Sequence, residues 1–266
     1  MLPQDGVLRQ LFLLEDALAK KRRFVYNRVE RVQPYDLEVV DVMKNKNLPL
    51  EHTEEVRRRI LESAKTLLLK YGYAKTTIRM IVEHSGILTG SIYYLFRNKE
   101  DIFQSLYLSI TKNCITRIDH YCAGESPVFK YAAVCEVELK KMEEDELIRD
   151  AYFTGYSSKQ IFEQMVEQFM LLAHHLFDGT AYEMDRDTCY RKSLLIKGAM
   201  RACIAELYFQ RDISPGASRK ALIEMALTLF GVDPKQIQAI QVRILEQEDL
   251  WETIAQQLVE APIQDI

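Results

Sequence analysis

Between Arg57 and Lys99 the apolar residues recur with the period of a helix. Ile60, Leu61, Ala64, Leu67 and Leu68 fall at i, i+1, i+4, i+7 and i+8, which places them on one helical face. Gly72 closes that helix, because glycine accepts the left-handed backbone of a C-terminal cap. Thr76 or Thr77 then offers a hydroxyl to the free N–H groups of a second helix carrying Ile78, Ile81 and Val82. Gly86 supplies a tight turn, and a third helix follows through Ile92, Tyr93 and Phe96. Two short helices about a glycine-bearing turn make a helix-turn-helix pattern.

The pattern stays helical beyond this unit. Ile102, Phe103, Leu106, Ile110, Cys114 and Ile118 keep a three-and-four spacing and predict a long helix leaving it. Ser126-Pro127 reads as a cap followed by proline at the first helical position. Residues 140–146 read as a charged, exposed stretch, with Glu143 to Glu146 a solvated face. A short helix over 147–153 is expected to break at Gly155, and Ser157 or Ser158 to cap the next, which ends at Asp178-Gly179. Further helices are predicted over 187–211, from Ser214-Pro215 to Gly231, from Asp233-Pro234, and over 250–259. Before the helix-turn-helix, Val7 to Ala19 has a helical apolar face. Residues 24–42 are rich in β-branched and aromatic types, which suits a short hairpin or an extended arm. Asn45 to Pro49 reads as a linker.

Charge sharpens this division. Residues 57–99 hold nine basic groups against Glu62 and Glu83, a net +7, so the rest of a chain of net −4 carries −11. A compact basic unit on an acidic protein is the footprint of a duplex-binding head. The 266 residues, 48% hydrophobic and 28% charged, suffice for two domains with real cores. No apolar run approaches the ~20 residues that cross a bilayer, and no secretory signal pattern opens the chain. The five cysteines are odd in number and lack Cys-x-x-Cys spacing, so they read as reduced core residues.

The block KYGYAKTTIRMIVEHSGILTGSIYYLFRNKEDI resembles the DNA-binding domain of the TetR family of bacterial transcriptional regulators. The residues carrying the resemblance are Gly72-Tyr73, Thr76-Thr77, Ile81, Gly86, Gly90, Ile92-Tyr93, Phe96 and Asn98-Lys99-Glu100. It implies an all-α fold: a three-helix DNA-binding head over 51–99 and a helical ligand-binding and dimerisation domain over 100–233. The extra N-terminal segment (1–50) and the helices of 234–266 go beyond the family pattern. The resemblance further implies that the helix from Thr89 to Phe96 enters the major groove, with Thr89, Gly90, Ser91, Tyr93 and Tyr94 facing DNA. Thr77 and Lys99 would hold phosphate at helix starts, with Arg57 and Arg58 as further DNA contacts. The alternative for Tyr93 is a core aromatic joining the three helices. Two departures stand out: Leu88 and Thr89 replace the usual serine and lysine, which weakens the helix cap unless Thr89 caps one residue later. Leu95 stands where an aromatic is usual.

The partners so implied are double-stranded DNA with a palindromic operator, a second copy of the chain, and a small, largely apolar or aromatic effector that releases a repressor from its operator. The expected location is cytoplasmic, on the bacterial nucleoid. The dimer is expected through 189–210 and 217–230, where Gly198, Ala199, Ala202 and Ala205 permit close helix approach. Tyr107, Tyr131, Tyr152, Met165, Phe169, Tyr190 and Met200 are candidates for the effector cavity, although residues of these types at helical spacing are more often simple core. The competing reading is a DNA-organising or protein-binding adaptor with the same head and no effector. No catalytic motif, cofactor loop or metal-ligand spacing is present; adjacent His174 and His175 point about 100° apart on a helix. For the N-terminal extension the choices are packing against the body or a second subunit, a DNA arm through Lys20 to Arg23, Arg28 and Arg31, or disorder.

Overall fold

A computed structural model describes residues 50–209 and 214–263, so the helix, hairpin or arm, and linker expected within 1–49 lie outside the described residues. Among the described residues there are eleven helices and no strand. The head comprises α1 (Leu50–Lys75), α2 (Ile78–Ser85) and α3 (Thr89–Leu95). Ile60, Leu61, Ala64, Leu67 and Leu68 of α1 are buried, as their spacing predicts. Gly72 has φ 76° and ψ 166°, a backbone open essentially to glycine alone, and it kinks the end of α1. Thr76 donates both its hydroxyl and its backbone N–H to the Gly72 carbonyl, at 2.8 and 3.2 Å, which closes the kink.

The body follows as α4 (Lys99–Tyr121), α5 (Pro127–Glu144), α6 (Glu146–Ser157), α7 (Lys159–Phe177), α8 (Arg186–Glu206), α9 (Ala217–Leu229), α10 (Pro234–Glu246) and α11 (Glu248–Glu260). Helix α5 is the hub. Val128, Phe129, Tyr131 to Cys135, Val137, Leu139 and Met142 are all buried, so it is apolar nearly all round, and every other helix of the body packs on it. Ser126 caps it as expected, accepting from the Phe129 N–H, with Pro127 at the first helical position.

Several local expectations give way to packing. Gly155 does not break α6, which runs through it. A Cβ there would lie 3.1 to 3.3 Å from Met165, Phe103 and Ile161, so this glycine lets three helices approach. Residues 140–146 are not a free solvated face. Lys140 is buried and bridges Glu144 and Glu248 at 3.1 and 2.8 Å, Glu143 meets Arg219, and Asp145 caps α6 through the Leu147 and Ile148 N–H groups. Ser214-Pro215 forms only the approach to α9, which starts after Gly216 in a left-handed conformation.

The C-terminal helices cover the core. Trp251 of α11 is fully buried, stacks near Phe129 with ring centroids 6.1 Å apart, and donates its indole N–H to the Ile244 carbonyl at 2.7 Å. Helix α11 packs on α4 and α5, while the head's α1 packs on α4 and α6. Beyond α11 the chain turns back to the head. Ile263, buried, donates its backbone N–H to Glu62 of α1, and Lys65 of α1 donates to the Ala261 carbonyl.

Candidate nucleic-acid interface

The helix-turn-helix is assembled from local caps and one long-range brace. Thr77, rather than Thr76, caps α2, its hydroxyl accepting from the Met80 N–H at 3.2 Å. Gly86 ends α2 in the left-handed region (φ 65°) and returns its N–H to the Val82 carbonyl at 3.0 Å. Arg59 of α1 reaches across to the Ser85 carbonyl at 2.8 Å, which binds the end of α2 to α1. Ile92 and Phe96, both fully buried, then fix α3 by one face against the other two helices.

The opposite face of α3 is open. Tyr93 is 52% exposed and Tyr94 70%, so the core reading of Tyr93 does not hold. Thr89 and Gly90 are exposed and Ser91 half-buried beside them. A Cβ at Gly90 would meet nothing within 4 Å, so no demand of the chain's own packing requires glycine there. Leu88 precedes the helix 73% exposed and supplies no side-chain cap; Thr89 lies inside the first turn and does not cap either.

Two of the cationic candidates, Arg57 and Lys99, are drawn inward, and a third, Arg58, is paired on its own helix. Arg57 lies half-buried, its guanidinium 4.8 Å from the Phe96 ring centroid and donating to Ser105 Oγ at 3.0 Å. Arg58 pairs with Glu55 one turn earlier at 2.6 Å. Lys99 donates to the Tyr73 carbonyl at 2.8 Å with its ammonium 4.1 Å from the Tyr73 ring, and burial pulls its pKa below the usual lysine value. Arg57 and Lys99 in this way brace α1 against α4. The three cations expected to contact DNA are thus also engaged within the head, Arg57 and Lys99 with aromatic faces, a hydroxyl and a carbonyl, and Arg58 with a carboxylate on its own helix. Exposed cations that motif reading passed over are Lys75, Arg79 and Arg97. Arg79 pairs with Glu83 on its own helix, at 2.9 Å, and charge was the one signal available for these three.

The effector candidates divide in the same way. A cavity of about 80 Å³ at the head–body junction is lined by Tyr107 and Tyr152, together with residues of α1 and α11. Tyr131 and Phe169 instead join Phe177 and Phe230 in an aromatic cluster, with Tyr131 5.9, 5.8 and 5.0 Å from the three partner rings. Met165 and Met200 are fully buried and do not line the cavity. Tyr190 is on the surface of α8. The missed lining residues, Leu68, Leu69, Leu258 and Val259 among them, come from helices far apart in sequence and carry no distinguishing local signal. All five cysteines are free, and Cys203 alone is not fully buried. Among the described residues no three potential ligands gather into a metal site, and no helix is long and apolar enough to cross a membrane.

Comparison with known proteins places this geometry. Residues 60–106 match the family model described as bacterial regulatory proteins, tetR family. The HTH-type transcriptional regulator TtgR of Pseudomonas putida is 38% identical over 60 residues, 23% of this chain and 29% of that protein. The HTH-type transcriptional repressor Rv1474c of Mycobacterium tuberculosis is 36% identical over 56 residues, 21% of this chain and 30% of that one. YerO of Bacillus subtilis, named an uncharacterized HTH-type transcriptional regulator, aligns further, 26% identical over 145 residues, 53% of this chain and 46% of its own length. The chain therefore spans less than half the length of these curated relatives. In fold the likeness runs longer: the crystal structure of RolR with its ligand resorcinol superposes with a TM-score of 0.57 over 73% of this chain and 97% of that one, at 18% identity. Over residues 60–106 the chain thus carries a helix-turn-helix head of the tetR family of bacterial regulatory proteins, and its all-helical body shares a fold with RolR.

Proposed function

We propose that this protein is a DNA-binding transcriptional regulator, a repressor that a small apolar or aromatic molecule releases from its operator. The observation that carries the reading is α3: anchored by Ile92 and Phe96, it turns Thr89, Gly90, Tyr93 and Tyr94 outward on a basic head. A bare backbone at Gly90 permits close approach to a duplex, and the two tyrosines offer hydroxyls to phosphates and ring faces to thymine methyls.

The body supports a two-fold dimer. Along α8, Leu194, Leu195, Gly198 and Ala202 form an exposed, small-to-apolar row, and α9 lies beside it. A Cβ at Gly198 would meet nothing within 4 Å, so its bareness is available to a second copy. Two heads so joined suit half-sites about one helical turn apart. The effector enters this reading through the family and through RolR, whose crystal structure is a complex with resorcinol.

Selection of bound DNA from a random library with the full chain tests the proposal. The expected product is a short palindrome, and Tyr94→Ala should weaken binding to it by about 1–3 kcal/mol without lowering the thermal midpoint. Sequence-independent retention of the whole library would overturn the regulator reading in favour of a DNA-organising role.

A further inference from the structure

The cavity at the head–body junction has an unusual pair of walls. Lys65, Leu68 and Leu69 belong to α1 of the head, whereas Ala255, Leu258 and Val259 belong to α11, the last helix. The charged residues that touch it contribute carbon, since their polar ends are engaged elsewhere. Lys65 donates to the Ala261 carbonyl, Glu138 takes both oxygens to Lys197 at 2.9 and 2.8 Å, and Lys141 lies 3.6 Å from Glu144. An ionised ligand would lose its hydration there without gaining a free partner, so the cavity selects neutral apolar matter.

Size adds a second constraint. An apolar cavity of roughly 150 Å³ is known to accept benzene, and this one measures about 80 Å³. A ring can enter only by moving a wall. The same two walls are stitched together next to the cavity by the Ile263 N–H to Glu62 and by Lys65 to the Ala261 carbonyl. The residues that join are about 200 positions apart in the chain, 62 with 263 and 65 with 261.

We propose that this cavity is a ligand site for a neutral, apolar molecule of single-ring size, and that its occupant levers α11 and the 261–263 tail away from α1. The tail is thereby a latch on the DNA-binding head. Helix α1 carries α2 through the Arg59–Ser85 contact and the Ile60 and Leu61 core, so releasing the middle of α1 at Glu62 and Lys65 frees the head to change its angle to the body. This rests on the effector reading above and adds where the effector sits, what chemistry it has and which contact it breaks.

The test uses the full chain with toluene as probe and benzoate and benzylammonium as ionised controls. Trp251, the single tryptophan, sits on α11 and reports its movement by fluorescence. Toluene should give a saturable fluorescence change, and each ionised control should bind at least about tenfold more weakly. Amide exchange at Ile263 should accelerate on saturation, while exchange within α5 stays unchanged. Leu258→Phe, which fills the cavity, should weaken the toluene response by about tenfold or more. No saturable response in the unaltered chain, an equal response in Leu258→Phe, or an Ile263 amide indifferent to bound toluene would each overturn the proposal. Operator affinity is measured separately. Toluene bound with the selected palindrome still held at full affinity sinks the latch and leaves the DNA-binding reading standing, whereas failure to select any DNA sinks that reading and leaves the cavity to be judged by fluorescence and exchange.

Discussion

Lys197 is fully buried on α8, and its ammonium lies 2.9 and 2.8 Å from the two carboxylate oxygens of Glu138 on α5. The same nitrogen sits 3.4 Å from the Phe169 ring centroid, and Tyr107 donates its hydroxyl to Glu138 at 3.2 Å. Burial pulls the Lys197 pKa below the usual lysine range, with Glu138 acting in the opposite direction, so the pair resists desolvation only together. Lys197→Met keeps most of the side-chain volume but strands the Glu138 carboxylate, and the expected loss is about 3–5 kcal/mol. For a body of this size that is a fall of roughly 6–20 °C in the thermal midpoint. Glu138→Leu alone should be comparably harmful, because it strands the ammonium. The double variant Lys197→Met/Glu138→Leu should recover most of the loss, since replacing both members of a buried pair by apolar groups is often close to neutral. A double-mutant cycle by urea unfolding, at one protein concentration so that assembly is held fixed, gives the coupling. If the single variants each cost under about 1 kcal/mol, or if their losses simply add in the double variant, the pair is not the coupled unit described here.

Two further predictions are local. Leu88→Ser should raise stability by about 0.5–1 kcal/mol, because Leu88 is highly exposed and supplies no cap where a serine would accept an N–H of α3; an unchanged or lower urea midpoint would show that the capping geometry is not used. Glu136, buried on α5 near Arg219, has its carboxyl lifted by desolvation to about 7, Arg219 opposing the lift with Nε 2.9 Å away. Its folded value is above the unfolded one, so the stability it contributes is complete below the unfolded pKa and lost as pH rises through about 7. The loss is on the order of 3 kcal/mol across that window, and Glu136→Gln should flatten the fall in thermal midpoint between pH 5 and 8; parallel slopes for the two proteins would refute the assignment.

The head was legible because its information is local. The spacing of Ile60 to Leu68, the Thr77 cap and the Gly86 turn each act within a few residues, and backbone sterics and free N–H groups dictate their outcome wherever they occur. The same holds for the caps at Ser126, Ser158 and Asp233 and for the helical class of the body. Periodicity marks which face of a helix is apolar without saying what that face meets. That is why Gly155 reads as a breaker in one dimension and proves to be a point of close packing among Phe103, Ile161 and Met165 in three.

The site shows the same boundary more sharply. Sequence singled out α3 and its outward tyrosines, but a basic residue looks alike whether its charge faces a duplex or a neighbouring ring. Only the fold laid Arg57 over Phe96 and Lys99 over Tyr73, and only it separated Tyr107 and Tyr152 at the cavity from Tyr131 and Phe169 in the core. Lys140, read as surface, is enclosed by carboxylates from two helices more than 100 residues apart. The chain by itself determined the helices, their caps and the identity of the head, since these follow from neighbours along the backbone. Tertiary structure decided which charges are free, where the cavity lies and that the last helix returns to hold the first described one, since each depends on desolvation and contact between segments that sequence keeps far apart.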